Sequence, residues 1–181
     1  MVNSYFNELP FLDRQSKPRD TGINYVRAPV LAGSVIQDYL AAFGEMVDIF
    51  KLSGKQAMMM SDDSLKAFVS ACKNHQVMVA VGNPVMDVAL TGGRETVEAM
   101  LTSINKLGID IVELSSVARA IDDQDVCRII ESANKKGIKV INEVGVAFAH
   151  SRVGRDEMFV ENVKKQTQRF LEAGSWKILL D

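Results

Sequence analysis

Short apolar runs alternate along this chain with longer segments whose apolar residues recur at helical spacing. The runs occupy residues 23–27, 47–52, 77–81, 109–114, 138–142 and 176–180. Runs of this length between turn residues predict buried strands. The intervening segments predict helices at about 34–43, 61–74, 94–107, 122–136 and 155–172, because their apolar residues fall on one helical face.

Three predicted helices end with the same glycine signal. Gly108, Gly137 and Gly174 each follow a helix and precede a strand, where glycine takes the left-handed conformation that ends a helix. A helix between two consecutive strands makes those strands parallel, because the chain must cross over the sheet before it pairs again. We therefore predict an α/β fold of the TIM (β/α)8 barrel type. It would form one domain at 21–181, after a polar leader at 1–20.

A doubly wound open sheet fits the same alternation almost as well. Its dinucleotide-binding members carry a GxGxxG turn after the first strand, whereas Arg27-Ala28-Pro29 stands here. This difference favours the barrel. A complete barrel has eight strands, so about six β/α units predict a partial barrel, or one that is completed by association in a homo-oligomer.

Composition narrows the possible partners. The chain has 21 basic and 23 acidic residues that are interspersed, with a net charge of −2, so we expect no nucleic-acid partner. Its apolar runs are far shorter than the roughly 20 residues that cross a bilayer, so we expect no membrane partner. The first residues lack the basic start and apolar segment of a secretory signal, and this predicts a cytoplasmic protein.

Three ionisable residues, Lys51, Glu113 and Glu143, close predicted strands at what would be the C-terminal face of the barrel. Side chains alternate along a strand, so each shares a face with apolar residues that precede it: Val47 and Ile49, Ile109 and Ile111, and Ile141 respectively. We expect the three to converge on one pocket as catalytic residues, with the glutamates as ligands of a hard cation. The alternative is a structural ion pair between Lys51 and one glutamate across the barrel mouth.

Other residues at this face predict an anionic substrate. Arg27 ends the first strand, where it either clamps a carboxylate or phosphate or pairs with Glu45 or Asp48 at the surface. Ser53-Gly54 and Gly82-Asn83 follow the second and third strands, and such glycine turns leave backbone N–H groups for an anion. The candidate substrate-binding residues are Arg27, Ser53, Gly54 and Asn83.

Three strand-end motifs carry a resemblance to a known family. They are Val47-Asp48-Ile49-Phe50-Lys51-Leu52-Ser53-Gly54, Lys106-Leu107-Gly108 leading to Glu113-Leu114-Ser115, and Lys136-Gly137 leading to Asn142-Glu143-Val144-Gly145. Together they resemble the phosphosulfolactate synthase family, including the heat-stress-associated proteins of plants. The resemblance covers about residues 20–181, and Arg27-x-Pro29 is similar to the plant and bacterial branch.

This resemblance implies a (β/α)8 barrel and a magnesium-dependent lyase that adds sulfite to phosphoenolpyruvate on the coenzyme M route. It implies that Lys51 faces the small anionic substrate. Glu113, Glu143 and Asp181 would form the side that carries Mg²⁺. Metal polarisation of the substrate carboxylate would stabilise the enolate-like state that forms as sulfur attacks.

The chain also departs from the family pattern. Val146-Ala147 stands where the synthases have a lysine pair, and Gly82-Asn83 stands where they have Gly-Gly. These departures leave open a non-catalytic, stress-related barrel that acts through protein–protein contacts. A third interpretation is a class I aldolase in which Lys51 forms a Schiff base.

Overall fold

A computed structural model describes residues 14–28, 34–115, 121–144 and 157–180, in which strands and helices alternate as predicted. The strands are β1 (Tyr25–Arg27), β2 (Ile49–Leu52), β3 (Met78–Val81), β4 (Ile111–Leu114), β5 (Lys139–Val144) and β6 (Lys177–Leu180). The helices are α1 (Ser34–Phe43), α2 (Gly54–Met59), α3 (Asp62–Asn74), α4 (Pro84–Thr91), α5 (Gly93–Leu107), α6 (Asp123–Lys135) and α7 (Glu157–Glu172), and a 3₁₀ turn covers Gly44–Met46. None of the helices in these ranges is long and apolar enough to span a membrane.

The described strands form one six-stranded parallel sheet in the order β1-β2-β3-β4-β5-β6. A doubly wound sheet reverses its strand order at a switch point, so this sequential order excludes that alternative. A contact across the sheet shows that it is curled: the Tyr25 hydroxyl on β1 donates to the Glu113 carboxylate on β4 at 2.7 Å. Three flat strand spacings would separate β1 from β4 by about 14 Å. The strands therefore form a curled half-barrel with flanking helices, which confirms the predicted fold class.

Two apolar clusters lie on opposite faces of this sheet. The larger packs between the strands and the helices, and its fully buried members include Phe50, Leu101 and Ile130. The smaller lies on the concave face, with one buried residue from each of four neighbouring strands: Ile49, Ala80, Ile111 and Ile141. The residues that follow two positions later on β2, β4 and β5 continue this concave face towards the C-terminal ends of the strands.

Val47 and Ile109 were expected on the concave face, and this was wrong. Both precede their strands and pack in the cluster between sheet and helices. The Ile109 N–H still bonds to the Ile104 carbonyl at 3.1 Å, so Ile109 completes the glycine-terminated end of α5 and packs against that helix. The strand alternation therefore begins only after these junction residues.

Two short helices at the C-terminal face, α2 and α4, were not predicted. Ser53 caps α2 in a reciprocal arrangement, since its Oγ accepts the Gln56 N–H at 3.3 Å and Gln56 Oε1 accepts the Ser53 N–H at 3.0 Å. Pro84 occupies the first turn of α4. Both helices are too short to show a clear helical periodicity in the sequence.

A charged cluster ties residues 14–24, which include the end of the predicted leader, to the N-terminal end of β2. The Asp48 carboxylate is 4 % exposed and accepts from Arg19 at 2.7 Å, from Arg14 at 2.9 Å and from the Asn24 N–H at 2.8 Å. These three donors offset the cost of burying the charged Asp48 carboxylate. Loss of any of them would leave part of that desolvation cost uncompensated.

Asp48→Asn is expected to lower the free energy of unfolding by about 3–5 kcal/mol, because it removes the buried counter-charge of Arg19 and leaves that guanidinium only the more distant, exposed Glu45. Burial alone would raise the pKa of Asp48, but the Asn24 N–H and the Arg19 and Arg14 guanidiniums outweigh burial and hold that pKa below its ordinary value of 3.8. The ionised Asp48 carboxylate therefore stabilises the folded state above pH 3.8. This stabilisation is lost as the pH falls through the lower pKa that Asp48 has in the folded protein.

Urea denaturation of the wild type and the variant from neutral to acidic pH measures both effects. Asp38→Asn, at an exposed position of α1, is the matched control and should change neither. Equal stability losses in the two variants would contradict the role given to Asp48.

Candidate active site

The side chains of Lys51 and Glu113 meet across the concave face. Lys51 Nζ lies 2.5 Å from Glu113 Oε1, while the Tyr25 hydroxyl donates to Oε2 at 2.7 Å. Glu113 is only 1 % exposed, so this ion pair and this hydrogen bond hold its carboxylate in a nearly water-free setting. Lys51 Nζ also lies 5.8 Å from the centre of the Tyr25 ring, within cation–π range. These three residues from β1, β2 and β4 are called the Lys51 cluster below.

Gly82 makes room for this ion pair. It follows β3, which lies between β2 and β4, so the Lys51 side chain must pass over it to reach Glu113. A Cβ atom at Gly82 would lie 3.1 Å from Lys51 Cε and 3.3 Å from the Leu52 carbonyl oxygen. The missing side chain at the end of β3 therefore allows the structural ion pair that the sequence left as an alternative.

Tyr25 is a member of the Lys51 cluster that sequence reasoning missed. Burial raises the pKa of its phenol well above the ordinary value, and the charge and hydrogen bond of Glu113 and the charge of Glu143 raise it further. The phenol therefore stays protonated and donates throughout the pH range of the folded protein. Its position two residues before Arg27 on the same strand was the signal that could have revealed it.

The Lys51 cluster opens onto a cavity of about 280 Å³ at the C-terminal ends of the strands. Its lining consists of Arg27, Lys51, Ser53, Gly54, Gly82, Asn83, Pro84, Asp87, Glu113, Ser115 and Glu143. The structure thus brings together Lys51, Glu113, Glu143, Arg27, Ser53, Gly54 and Asn83, which the sequence nominated separately. Asp181 lies outside the described residues, as do Val146 and Ala147. A cavity of this size holds a small molecule.

Arg27 is an exposed cation at the edge of this cavity. The suggested pairing with Glu45 or Asp48 is wrong, because Arg19 lies 3.5 Å from Glu45, and Arg14 and Arg19 both bind Asp48. Within the described ranges Arg27 has no ion-pair partner. A guanidinium at this position suits a bidentate contact with a carboxylate or phosphate.

Two backbone donors that were expected to bind an anion are engaged within the protein. The Ser53 N–H donates to Gln56 Oε1, and the Gly82 N–H donates to the Leu52 carbonyl at 2.9 Å. Gly54 instead serves close packing, because a Cβ atom there would lie 2.7 Å from the Val85 nitrogen. These turns shape the cavity wall rather than supply free donors at Ser53 and Gly82.

Asn83 joins the ends of β3 and β4. Its Nδ2 donates to Asp87 Oδ2 at 2.8 Å, and its Oδ1 accepts the Ser115 N–H at 2.9 Å. Because both ends of the amide are engaged, Asn83 positions the cavity wall. Asp87 and Ser115 are lining residues that the sequence did not nominate, since they fall after the strands in an unpredicted helix and in a connecting segment.

Glu143 lies half-buried on β5 and lines the cavity. No group of three metal-ligating side chains occurs in the described part of the chain. Mg²⁺ is nevertheless commonly held by one or two carboxylates together with substrate oxygens and water, so one or two protein ligands are sufficient. Glu113 is engaged by the Lys51 ion pair and the Tyr25 hydrogen bond, so Glu143 and Asp87 are the other described carboxylates of the lining that could contribute to such a donor set.

The fold and the cavity define a TIM-barrel type α/β protein with cations and carboxylates at its C-terminal face. The chain belongs to the (2R)-phospho-3-sulfolactate synthase (ComA) family, whose model matches residues 12–181.

Two curated relatives carry the description phosphosulfolactate synthase. The protein of Methanothermobacter thermautotrophicus is 26% identical over 141 residues, which cover 77% of this chain and 54% of that protein. The protein of Methanocaldococcus jannaschii is 25% identical over 124 residues, which cover 68% of this chain and 49% of that protein. The chain therefore spans about half the length of the curated relatives it matches.

Solved structures resemble the chain in fold. A truncated 3-deoxy-D-arabino-heptulosonate 7-phosphate synthase from Thermotoga maritima gives a TM-score of 0.50 at 14% identity, over 87% of this chain and 50% of that one. A 2,3-dimethylmalate lyase of the PEP mutase/isocitrate lyase superfamily gives a TM-score of 0.55 at 12% identity, over 88% and 57%. At such identities the likeness concerns the barrel fold alone.

Gly54→Ala is expected to lower the free energy of unfolding by about 1–3 kcal/mol. The added methyl would lie 2.7 Å from the Val85 nitrogen and 2.8 Å from the Gly82 carbonyl oxygen, and backbone atoms cannot move aside as a flexible side chain can. Chemical denaturation measures the loss. Lys55→Ala, at the next and exposed position, is the control, and equal effects of the two changes would contradict the tight packing of α2 on α4.

Proposed function

We propose that this chain carries the substrate cavity of a phosphosulfolactate synthase-like lyase, which adds sulfite to phosphoenolpyruvate or acts on a related small phosphorylated carboxylic acid. The observation that carries the proposal is the shared cavity of Arg27 and Lys51 at the C-terminal face of a barrel of this family. Two cations on neighbouring strands suit a substrate with two anionic groups.

The charge balance of the cavity supports a role for magnesium. Its described lining has two cationic side chains, Arg27 and Lys51, and three carboxylates, Asp87, Glu113 and Glu143. A phosphorylated carboxylic acid would add further negative charge, which is costly in a partly desolvated site. Mg²⁺ held by Glu143, and by Asp181 if that carboxylate reaches the cavity, would offset this charge and polarise the substrate carboxylate.

The residues have separate tasks in the proposed addition. Sulfite sulfur forms a bond to the methylene carbon of phosphoenolpyruvate, and the electrons of the double bond move towards the carboxylate. The phosphate-bearing carbon then takes a proton from solvent water. The Lys51 ammonium would bind the carboxylate on which negative charge develops, and Arg27 would hold the phosphoryl group. Glu113 fixes Lys51 in place, so it acts as a partner of the lysine rather than as a metal ligand.

Phosphoenolpyruvate is expected to bind in the presence of Mg²⁺ and to bind far more weakly after the metal is removed with EDTA. Arg27→Ala should weaken binding by roughly tenfold to a hundredfold, because it deletes a charge-assisted contact. Isothermal titration calorimetry measures both effects, and loss of phosphoenolpyruvate on addition of sulfite measures the reaction.

Arg128→Ala is the matched control, since Arg128 is an exposed arginine of α6 that pairs with Asp125 away from the cavity. A folded wild type that binds no phosphoenolpyruvate with or without Mg²⁺ would contradict the proposal and favour the non-catalytic alternative.

We also propose that the chain acts in the cytoplasm as a homo-oligomer. Cys72 and Cys127 are both free thiols, which agrees with a reducing compartment. Among the described strands β6 pairs only with β5, and its Leu180 is 71% exposed. Exposed strand edges pair readily with other strands, and the partner proposed for this one is a second copy of the chain.

Sedimentation equilibrium at micromolar concentration is expected to give a dimer or a larger species of the 181-residue chain. Leu180→Lys should shift this equilibrium towards the monomer, because it places a charge on the edge that the partner would cover. A monomeric wild type would contradict the proposed association.

A further inference from the structure

We propose that Tyr25 is a positioning residue of this cavity, which acts through Glu113 to hold the Lys51 ammonium group where it meets an anionic ligand. The inference rests on the proposed function for the identity of that ligand. The arrangement of the Lys51 cluster stands independently of it, because every contact lies within the protein.

Lys51 needs an external constraint. Its side chain has four rotatable carbon–carbon links, retains 22% exposure and loses rotamer freedom whenever it takes a single position. Glu113 supplies the counter-charge at 2.5 Å from Nζ. One ammonium carries three donors, so this contact leaves donors for a ligand at the cavity side.

Glu113 in turn needs a second contact to fix the plane of its carboxylate. Oε1 faces Lys51, and the Tyr25 hydroxyl donates to Oε2 at 2.7 Å. Tyrosine has a rigid ring with only two side-chain torsions, so it fixes a hydrogen bond at low entropic cost. The raised pKa of its phenol keeps the proton on the donor.

The two parts of Tyr25 contribute differently to the Lys51 cluster. The ring faces Lys51 Nζ at 5.8 Å, and a phenylalanine would keep that contact. Only the hydroxyl reaches Glu113. Tyr25→Phe therefore isolates the hydrogen bond, while ring packing and cation–π attraction stay the same.

The first measurement is the acetylation rate of Lys51, followed by mass spectrometry of limited acetic anhydride labelling in the absence of ligand. In Tyr25→Phe the less constrained Lys51 should react about three to five times faster, whereas Lys136, which pairs with Glu98 on the helical surface, should keep its rate. In a Glu113→Gln background the same tyrosine change should alter the Lys51 rate by less than about twofold, because the two residues act through one contact.

The second measurement is the affinity for phosphoenolpyruvate with Mg²⁺, where Tyr25→Phe should cause about a fivefold loss. Tyr39→Phe is the matched control, because Tyr39 is a half-buried tyrosine of α1 that packs on Phe50 on the helical side of the sheet. It should leave both readouts unchanged.

The outcomes separate this inference from the proposed function. A change in the Lys51 acetylation rate that depends on Glu113 supports the positioning role, whether or not phosphoenolpyruvate binds. Failure of the wild type to bind phosphoenolpyruvate would overturn the proposed function and leave the positioning role standing. An unchanged Lys51 rate in folded Tyr25→Phe, or the same rate change with and without Glu113, would overturn the inference and reduce Tyr25 to a core residue.

Discussion

The ion pair of Lys51 and Glu113 is the interaction on which the candidate site depends. A glutamate that is 1 % exposed is costly to bury without polar partners, and Glu113 has two, Lys51 and Tyr25. The contacts join β1, β2 and β4, so they require the sheet to curl. A side chain at position 82 would crowd the path of the lysine, since a Cβ atom there would lie 3.1 Å from Lys51 Cε. The fold thereby places a cation at the floor of a cavity whose rim carries Arg27.

Both ends of the half-barrel hold a buried carboxylate, but the two serve different purposes. Asp48 at the N-terminal end is surrounded by two arginines and a backbone donor, and it does not line the cavity at the C-terminal end. Glu113 at the C-terminal end has a single cationic partner that also borders open space. This difference agrees with the general division of such barrels into a stabilising end and a functional end.

The sequence predicted the barrel and most of the cavity lining because strand alternation is a local pattern. This alternation places Lys51 two residues after Ile49 and Glu113 two residues after Ile111. It did not decide which glutamate pairs with Lys51, since that depends on the curl of the sheet and on the space above Gly82. Tyr25 was missed because an aromatic residue in a strand is typical of a core. The contacts of Arg14 and Arg19 with Asp48 span 34 and 29 residues and leave no periodic signal.

We propose above that Lys51, held by Glu113, binds the anionic substrate. The most direct measurement is calorimetric titration of phosphoenolpyruvate with Mg²⁺ into the double variant Lys51→Met/Glu113→Gln, which removes both charges and leaves no unpaired ion in the interior. The expected result is a folded protein whose affinity for phosphoenolpyruvate falls by roughly a hundredfold or more. A folded double variant that binds phosphoenolpyruvate as tightly as the wild type would contradict it.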